Sequence, residues 1–265
     1  MSDASPRTDL ADPSYLVSML TVRTQRRPLA ARRLAHVGLA CLFVLGASVA
    51  PATAATTAYK LDLGNRRDFV AQTNFVQCVG ASMQMMLNMI GEEDDRTAAR
   101  QLELQVLARQ LSGRRPDGDE RQGASVRGWA AGLNLLGAGP YRLVGATTIE
   151  EALLTAAKAM RQTGKPVGLL MWRGRHAWVM SGFRANGDPL VSGTKVTAAY
   201  VEDPLYPHGS SVWGPSPAPG AALSVEELGR QYVPRRTSNR FGSALSGKYV
   251  LVLPFAMDSK TLSRV

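Results

Sequence analysis

The chain has 265 residues, of which 45% are hydrophobic and 20% are charged. This composition excludes disordered and fibrous proteins, and the length suits one sizeable domain or two closely packed lobes. The net charge is +10 for the whole chain and +7 for residues 55–265 (25 basic minus 18 acidic), and this +7 is scattered over predicted helices and loops, which is typical of a solvated basic surface. Because no nucleic-acid-binding motif accompanies it, we expect no nucleic-acid partner. An affinity for acidic substrates or anionic cell-wall polymers is the alternative interpretation.

Residues 1–54 have the order of a signal peptide. Five arginines lie between Arg23 and Arg33, an apolar stretch runs from Val37 to Ala50, and Ala52-Thr53-Ala54 fits an A-x-A cleavage site. Met19 is a possible alternative start. The apolar stretch is shorter than the ~20 residues of a spanning helix. We therefore expect cleavage, a secreted or cell-envelope location and no stable membrane insertion afterwards, with an uncleaved anchor as the alternative.

The first half of the mature chain is predicted to be mainly helical. Residues 55–69 read as an extended arm, and residues 70–255 as the folded domain, followed by a C-terminal tail at 256–265. The segment from Cys78 to Ile90 is apolar around most of its circumference, which indicates a buried helix. A second helix is predicted from Thr97 to Leu111, with its apolar face on Leu102, Val106 and Leu107. Two further helices are predicted, over 124–136 and from Thr148, in a capping box with Glu151, to about Gln162.

The second half is predicted to be mainly strands. Short runs rich in β-branched, aromatic and aliphatic residues cover 167–172, 176–183, 197–202 and 249–255, and 141–145 is predicted as a short strand between the third and fourth helices. This order predicts an α+β fold. The segment Pro204–Gly220 is a long loop with five prolines and three glycines, and loops of that length in compact domains are often functional flaps.

Cys78 and His176 are the candidates for nucleophile and base. Cys41 lies in the signal segment, so Cys78 is the one cysteine of the mature chain, and it stands at the predicted start of a helix, where the helix dipole favours a thiolate. A buried structural cysteine is the alternative. His176 opens a predicted strand and can face a cleft, whereas His208 lies in the Pro/Gly-rich loop and is interpreted as solvated.

Asp203 is the candidate for orienting the base. It ends the predicted strand that follows the His176 strand, and neighbouring strands would bring the two side chains together. A simple Asp-Pro turn is the alternative. One thiol and two separated histidines form no cluster with zinc-like spacing, so we expect no metal site.

Three blocks of the chain resemble papain-like cysteine peptidases. The segment 72–82 (QTNFVQCVGAS) is similar to their nucleophile region, in which a glutamine six residues before the cysteine supplies an oxyanion donor. The block 174–182 (GRHAWVMSG) resembles their histidine strand. Val201-Glu202-Asp203-Pro204 resembles the Asp-Pro that follows in bacteriocin-leader (double-glycine) peptidases and their secreted bacterial relatives.

The resemblance implies a papain-like fold, with an N-terminal helical lobe, a C-terminal antiparallel β-sheet lobe and the active site between them. It implies a thiol protease that cleaves peptide or protein substrates through Cys78, His176 and Asp203, with Gln72 as oxyanion donor and without a cofactor. An acyl- or peptidyl-transferase on the same scaffold and a catalytically silent binding module of the cell envelope are the alternatives.

Overall fold

The computed structural model describes residues 57–91, 94–113, 122–237 and 244–256. The predicted signal peptide, with Cys41, and nearly all of the predicted C-terminal tail lie outside the described residues. Within the described ranges the helices are α1 (Cys78–Ile90), α2 (Ala98–Leu111), α3 (Val126–Leu135), α4 (Ile149–Thr163) and α5 (Val225–Gly229). The strands are β1 (Tyr59–Asp62), β2 (Tyr141–Ala146), β3 (Val167–Met171), β4 (His176–Ala185), β5 (Val196–Glu202), β6 (Gly209–Ser210), β7 (Gly214–Pro215), β8 (Ala221–Ser224) and β9 (Tyr249–Pro254).

The strands form one antiparallel sheet and a small hairpin. The order in the sheet is β2-β9-β3-β4-β5-β8, with β1 also paired to β4, and β6 pairs with β7 inside the loop Pro204–Gly220. Helices together with an antiparallel sheet confirm the predicted α+β class. The strand predicted between the third and fourth helices is present as β2, whereas β1, which precedes α1, is an unpredicted strand in the segment expected to be an extended arm. Neither β8 nor α5 was predicted.

The sheet has a hydrophobic core on each face. Successive strand residues point to opposite faces, and β9 shows this clearly: Leu251 and Leu253 belong to the core that contains the buried residues of α4, whereas Val250 and Val252 belong to the core of α1, α2 and α3. Each fully buried aliphatic side chain contributes about 1.5–3 kcal/mol. The sheet therefore contributes to both cores, and packing in the second core fixes α1 relative to the strands.

The predicted ends of α4 agree with the structure. The Thr148 hydroxyl accepts from the Glu151 N–H at 3.1 Å, and the helix ends at Gly164, whose left-handed backbone (φ 65°) favours glycine. The Glu151 carboxylate accepts from the N–H of Thr147 at 2.7 Å, one residue before the expected partner. The predicted capping box is thus present in part, with its return bond displaced by one residue.

The predicted apolar face of α2 is wrong. Leu102 and Val106 are exposed and Leu107 is half-buried, whereas the buried positions are Gln101, Leu104, Gln105 and Ala108. These four positions do follow helical spacing. Two of them are glutamines whose amide groups are satisfied by the backbone of the segment before and within α1, and this explains how polar side chains come to occupy the buried face.

No helix in the described part of the chain is both long enough and apolar enough to cross a membrane.

Candidate active site

Cys78 is the first residue of α1, and its side chain is half-buried. Most of α1 behind it is buried, as the sequence predicts. The first N–H groups of a helix have no partner within the helix, and they point toward groups at its N-terminus. They give this end a partial positive charge, which favours the anionic form of a thiol. The N-cap residue, Gln77, makes no side-chain capping bond and instead accepts from the Thr73 hydroxyl.

Two buried glutamines of α2 hold the segment that carries Cys78. Gln101 Nε2 donates to the carbonyl of Ala71 at 2.9 Å, and its Oε1 accepts from the Thr73 N–H at 2.8 Å. Gln105 makes the equivalent pair on the other side of the loop: Nε2 donates to the Val76 carbonyl and Oε1 accepts from the Gly80 N–H, both at 2.9 Å. These four bonds, which we call the glutamine clamp, fix the backbone on both sides of Cys78.

Gly80 allows α1 to approach α2 closely enough for the clamp to form. A Cβ atom at this position would lie 2.7 Å from the carbonyl oxygen of Gln101 and 2.9 Å from Cβ of Gln105. Real Cβ contacts are longer than this, and one of the neighbours is backbone. A side chain at position 80 would therefore push the two helices apart.

His176 and Asp203 form a short, buried contact. The imidazole Nε2 lies 2.7 Å from Asp203 Oδ1, and the two side chains are 4% and 0% exposed. In the antiparallel pairing of β4 with β5, Val179 lies opposite Glu202, so the next residue along β5 continues toward the end of β4 at which His176 stands. Asp203 Oδ1 also accepts from the Leu205 N–H at 2.9 Å, which orients the carboxylate.

The surroundings of the His176 imidazole, which shares a small cavity with Cys78, favour its protonated form. Burial lowers the pKa of His176, but hydrogen bonds with Asp203 and with Cys78, together with the charges of both, outweigh it and raise the pKa to about 9. Since Nε2 faces the carboxylate, Nδ1 is the ring nitrogen left for the thiol. The geometry can therefore hold a thiolate, an imidazolium and a carboxylate in a row.

Trp172 covers the imidazole. Its indole stacks on the His176 ring with centroids 4.0 Å apart and an interplanar angle of 23°. Trp172 and Arg173 both have left-handed backbones (φ 55° and 57°), a conformation that costs roughly 1–2 kcal/mol per non-glycine residue. Gln231 holds Trp172 in place, because its carbonyl accepts from the Trp172 N–H at 3.1 Å and its Oε1 accepts from Nε1 at 2.9 Å.

Gln72 lies beside the Asp203 strand end, but its amide is engaged locally. Its backbone N–H donates to the carbonyl of Pro204 at 2.7 Å, and its Nε2 donates to the carbonyl of Asn74 at 2.9 Å. The structure thus brings Cys78, His176 and Asp203 together. The carboxamide of Gln72 has a second N–H, and its use on an oxyanion stays a prediction. His208 is exposed in the loop.

A small cavity opens at the cysteine and the histidine. Its volume is about 130 Å³, and Val126 and Trp129 of α3 line it together with Leu170 and Ala177 of the sheet. A cavity of about 150 Å³ holds a benzene ring, so this one has room for a small side chain. In the described part of the chain, no group of three or more His, Cys, Asp or Glu side chains is placed to hold a metal ion.

Sequence reasoning missed the glutamine clamp and the covering indole. Gln101 and Gln105 are four residues apart on α2, a spacing visible in the sequence, but glutamine usually indicates a solvated helix face. Trp172 precedes His176 by four residues, and only the left-handed turn between them brings the rings together.

No protein-family model matches this sequence, and no curated protein does either.

Proposed function

We propose that this protein is a cysteine hydrolase of the papain-like type, and most specifically a peptidase. The observation that carries the proposal is the buried 2.7 Å contact between His176 Nε2 and Asp203 Oδ1, with Cys78 at a helix N-terminus and in the same small cavity as the imidazole. A nucleophile, a base within hydrogen-bond reach and a third group that orients the base are what covalent acyl transfer requires. Helices packed on an antiparallel sheet agree with the papain-like fold that we propose.

The reaction begins with the Cys78 thiolate, whose proton resides on His176. The sulfur attacks the carbonyl carbon of the scissile amide, and the C=O electron pair moves onto oxygen. The Cys78 N–H, in the first turn of α1, is free to donate to that oxyanion, and Gln72 is the second proposed donor. The imidazolium then protonates the departing amine, the C–N bond breaks, and a thioacyl-enzyme remains.

Water completes the cycle. Neutral His176 takes a proton from water, the resulting hydroxide equivalent attacks the thioester carbonyl, and the C–S bond breaks to release the carboxylic acid. The thiolate and the imidazolium are restored together. Asp203 does not touch the reacting atoms. Its role in the proposal is to hold the ring with Nε2 toward the carboxylate and Nδ1 toward sulfur, and to stabilise the imidazolium.

The remaining parts of the proposal concern location and substrate. The signal-like order of residues 1–54 supports export, with the mature chain acting outside the cytoplasm or in the envelope. Peptides or proteins are the proposed substrates, because the small cavity at Cys78 has room for a side chain next to the attacked carbonyl. The proposed reaction uses protein groups and water alone.

Alkylation of the purified protein tests the nucleophile. Iodoacetamide should modify Cys78 at pH 6, where an ordinary thiol is almost fully protonated and reacts slowly, and peptide mapping by mass spectrometry identifies the modified residue. His176→Ala should slow the modification, whereas His208→Ala should not. If Cys78 reacts at pH 6 no faster than free cysteine, the site is not activated and the proposal fails.

A further inference from the structure

A second, larger cleft adjoins the proposed active site. It encloses about 610 Å³ and is bounded by Trp172, Trp213 and three arginines, Arg173, Arg175 and Arg236. Arg175 also lines the cavity that contains Cys78 and His176, so the two spaces meet at this side chain. We infer that this cleft binds acidic side chains of the peptide substrate close to the scissile bond, an inference that rests on the proposed function.

The charge of the cleft is of one sign. None of the residues that line it is acidic, and the three arginines are exposed. Across the described ranges of the chain, no carboxylate lies within 4 Å of any of the three guanidinium groups. Like charges held together in a concave site focus a positive potential, which attracts anions and lowers the affinity for cations. Guanidinium groups also match carboxylates with two parallel hydrogen bonds.

The backbone positions these arginines rather than leaving them on a free chain. Trp172, Arg173 and Gly174 all have left-handed backbones, and the N–H groups of Gly174 and Arg175 both donate to the carbonyl of Met171, at 2.9 and 3.0 Å, which fixes the turn that carries Arg173 and Arg175. The N–H of Arg236 donates to the carbonyl of Arg173 at 3.1 Å, which ties the segment after α5 to the same turn. Arg173 and Arg236 therefore stand on two segments joined by a direct hydrogen bond.

The path from the cysteine to this cleft is short. Trp172 stacks directly on His176 and also lines the cleft, and Arg175 lines both spaces, so the cleft begins next to the catalytic imidazole. An extended peptide advances about 3.3 Å per residue. Because the two spaces meet at Arg175, a substrate whose carbonyl lies at Cys78 reaches the cleft within a few residues of the scissile bond.

The lining favours a peptide over other polyanions. Val212 and the faces of two tryptophans offer apolar contact for the methylene groups of glutamate, next to the guanidinium groups that bind its carboxylate. The adjoining thiol acts on acyl carbonyls, which an acidic peptide supplies. A highly charged polymer without such carbonyls would fill the cleft but give the thiolate nothing to attack.

Binding to the Cys78→Ala protein tests the inference without catalysis. The probes are three peptides of alanine and leucine with a neutral fluorophore, identical except for two glutamates, two glutamines or two lysines. We expect the glutamate peptide to bind at least about tenfold more tightly than the glutamine peptide at low ionic strength, with the lysine peptide weakest and the preference reduced by salt. In the Arg173→Gln/Arg236→Gln double variant the preference should fall below about threefold.

A matched control removes the same charge elsewhere. Arg142 is on β2, at the other edge of the sheet, and Lys158 is exposed on α4. The Arg142→Gln/Lys158→Gln double variant should keep the full preference for glutamate. Alkylation of Cys78 at pH 6, in forms of both double variants that retain the cysteine, checks that the active site is still assembled.

Three results would overturn the inference. Equal affinities for the glutamate and glutamine peptides would remove the acidic preference. A preference unchanged in the Arg173/Arg236 variant would assign it to another surface. Binding of a heparin fragment or an oligothymidylate of equal charge as tightly as the glutamate peptide would make the cleft a general polyanion site. In each case a Cys78 that still reacts at pH 6 leaves the proposed function standing, whereas an unreactive Cys78 with intact glutamate preference would contradict the proposed function alone.

Discussion

The indole of Trp172 and the imidazole of His176 lie face to face, 4.0 Å apart, over a histidine that is 4% exposed. The indole covers one face of the ring and also lines the arginine-lined cleft, and the contact between His176 and Asp203 is buried beside it. A short, dry hydrogen bond to a charged partner is stronger than a hydrated one.

Loss of this stack should weaken catalysis without removing a reacting group. We expect Trp172→Leu to lower kcat by about tenfold, because the ring loses the contact that holds it, and to move the alkaline limb of the pH–rate profile to higher pH, because exposure relieves the burial that lowers the pKa of His176. Trp172→Phe keeps a stacking ring and should recover most of both. Equal losses in the two variants, with an unmoved pH profile, would reduce Trp172 to a packing residue.

The pH dependence of hydrolysis should follow the imidazolium. With the pKa of His176 raised to about 9, the ring carries its proton throughout the neutral range and loses it as the pH passes about 9. Protonation of the leaving amine then fails, so kcat/KM for peptide hydrolysis should fall above this pH. Alkylation of Cys78 needs only the thiolate and should stay fast. Because the Asp203 hydrogen bond and charge raise this pKa, Asp203→Asn should move the hydrolytic limb to lower pH.

Substitutions of Gln72 and His208 test whether the first is an oxyanion donor and the second only a loop residue. If the second N–H of Gln72 stabilises the oxyanion, Gln72→Ala should lower kcat by about 10²–10³, as loss of one such donor does in other enzymes, while alkylation of Cys78 continues. His208→Ala should leave kcat nearly unchanged. A fatal His208→Ala alongside an active His176→Ala would show that the base is assigned to the wrong histidine.

The glutamine clamp should contribute more to the stability of the protein than the exposed Leu102 and Val106 of the same helix. Gln105→Ala removes both bonds that Gln105 makes and leaves the carbonyl of Val76 and the N–H of Gly80 without their partner, at roughly 1–3 kcal/mol for each group that stays buried. We expect a lower melting temperature and slower alkylation of Cys78. Leu102→Gln and Val106→Gln are the controls on the exposed face of α2 and should change the melting temperature little. If the two controls lowered the melting temperature more than Gln105→Ala does, the apolar face predicted from the sequence would be the buried one.

Glu202 gives the protein a separate pH dependence of stability. Burial raises the pKa of its carboxyl to about 7, partly opposed by the backbone of Gly220 and increased by the charges of Asp68 and Asp62. The folded protein therefore keeps a proton that the unfolded chain releases above its ordinary pKa near 4.5, and the free energy of unfolding falls as the pH rises from about 4.5 to 7. Glu202→Gln cannot ionise. The melting temperature of Glu202→Gln minus that of the unmodified protein should therefore increase from pH 5 to pH 8. A difference that stays constant would contradict the prediction.

Local pattern predicted the helices and strands well and the contacts between them poorly. Turn signals and periodicity gave α1, α4 and the strand that carries His176, because those properties depend on neighbours in the chain. The buried face of α2 depends on which backbone groups lie across from it, and nothing within α2 records that. The left-handed turn at Trp172 is equally invisible, since neither tryptophan nor arginine favours such a backbone.

The same distinction applies to the site. Cys78, His176 and Asp203 could be proposed because few residue types can perform the chemistry and two of them are scarce in this chain. Arg173 and Arg236 are far apart in sequence, and arginine is common here, so only the fold reveals that they share one cleft with two tryptophans.

The glutamine clamp makes the backbone around Cys78 independent of the side chains that this segment carries. Gln101 and Gln105 bind only main-chain atoms of the segment before and within α1, so they hold its path whichever side chains that segment carries. Phe75, at 85% exposed, and Val76, at 39%, project from it into solvent. Substitutions at positions 75 and 76 should therefore change the surface beside Cys78 without moving its sulfur atom. If the proposed function is correct, these are the positions to vary in a selection for new substrates.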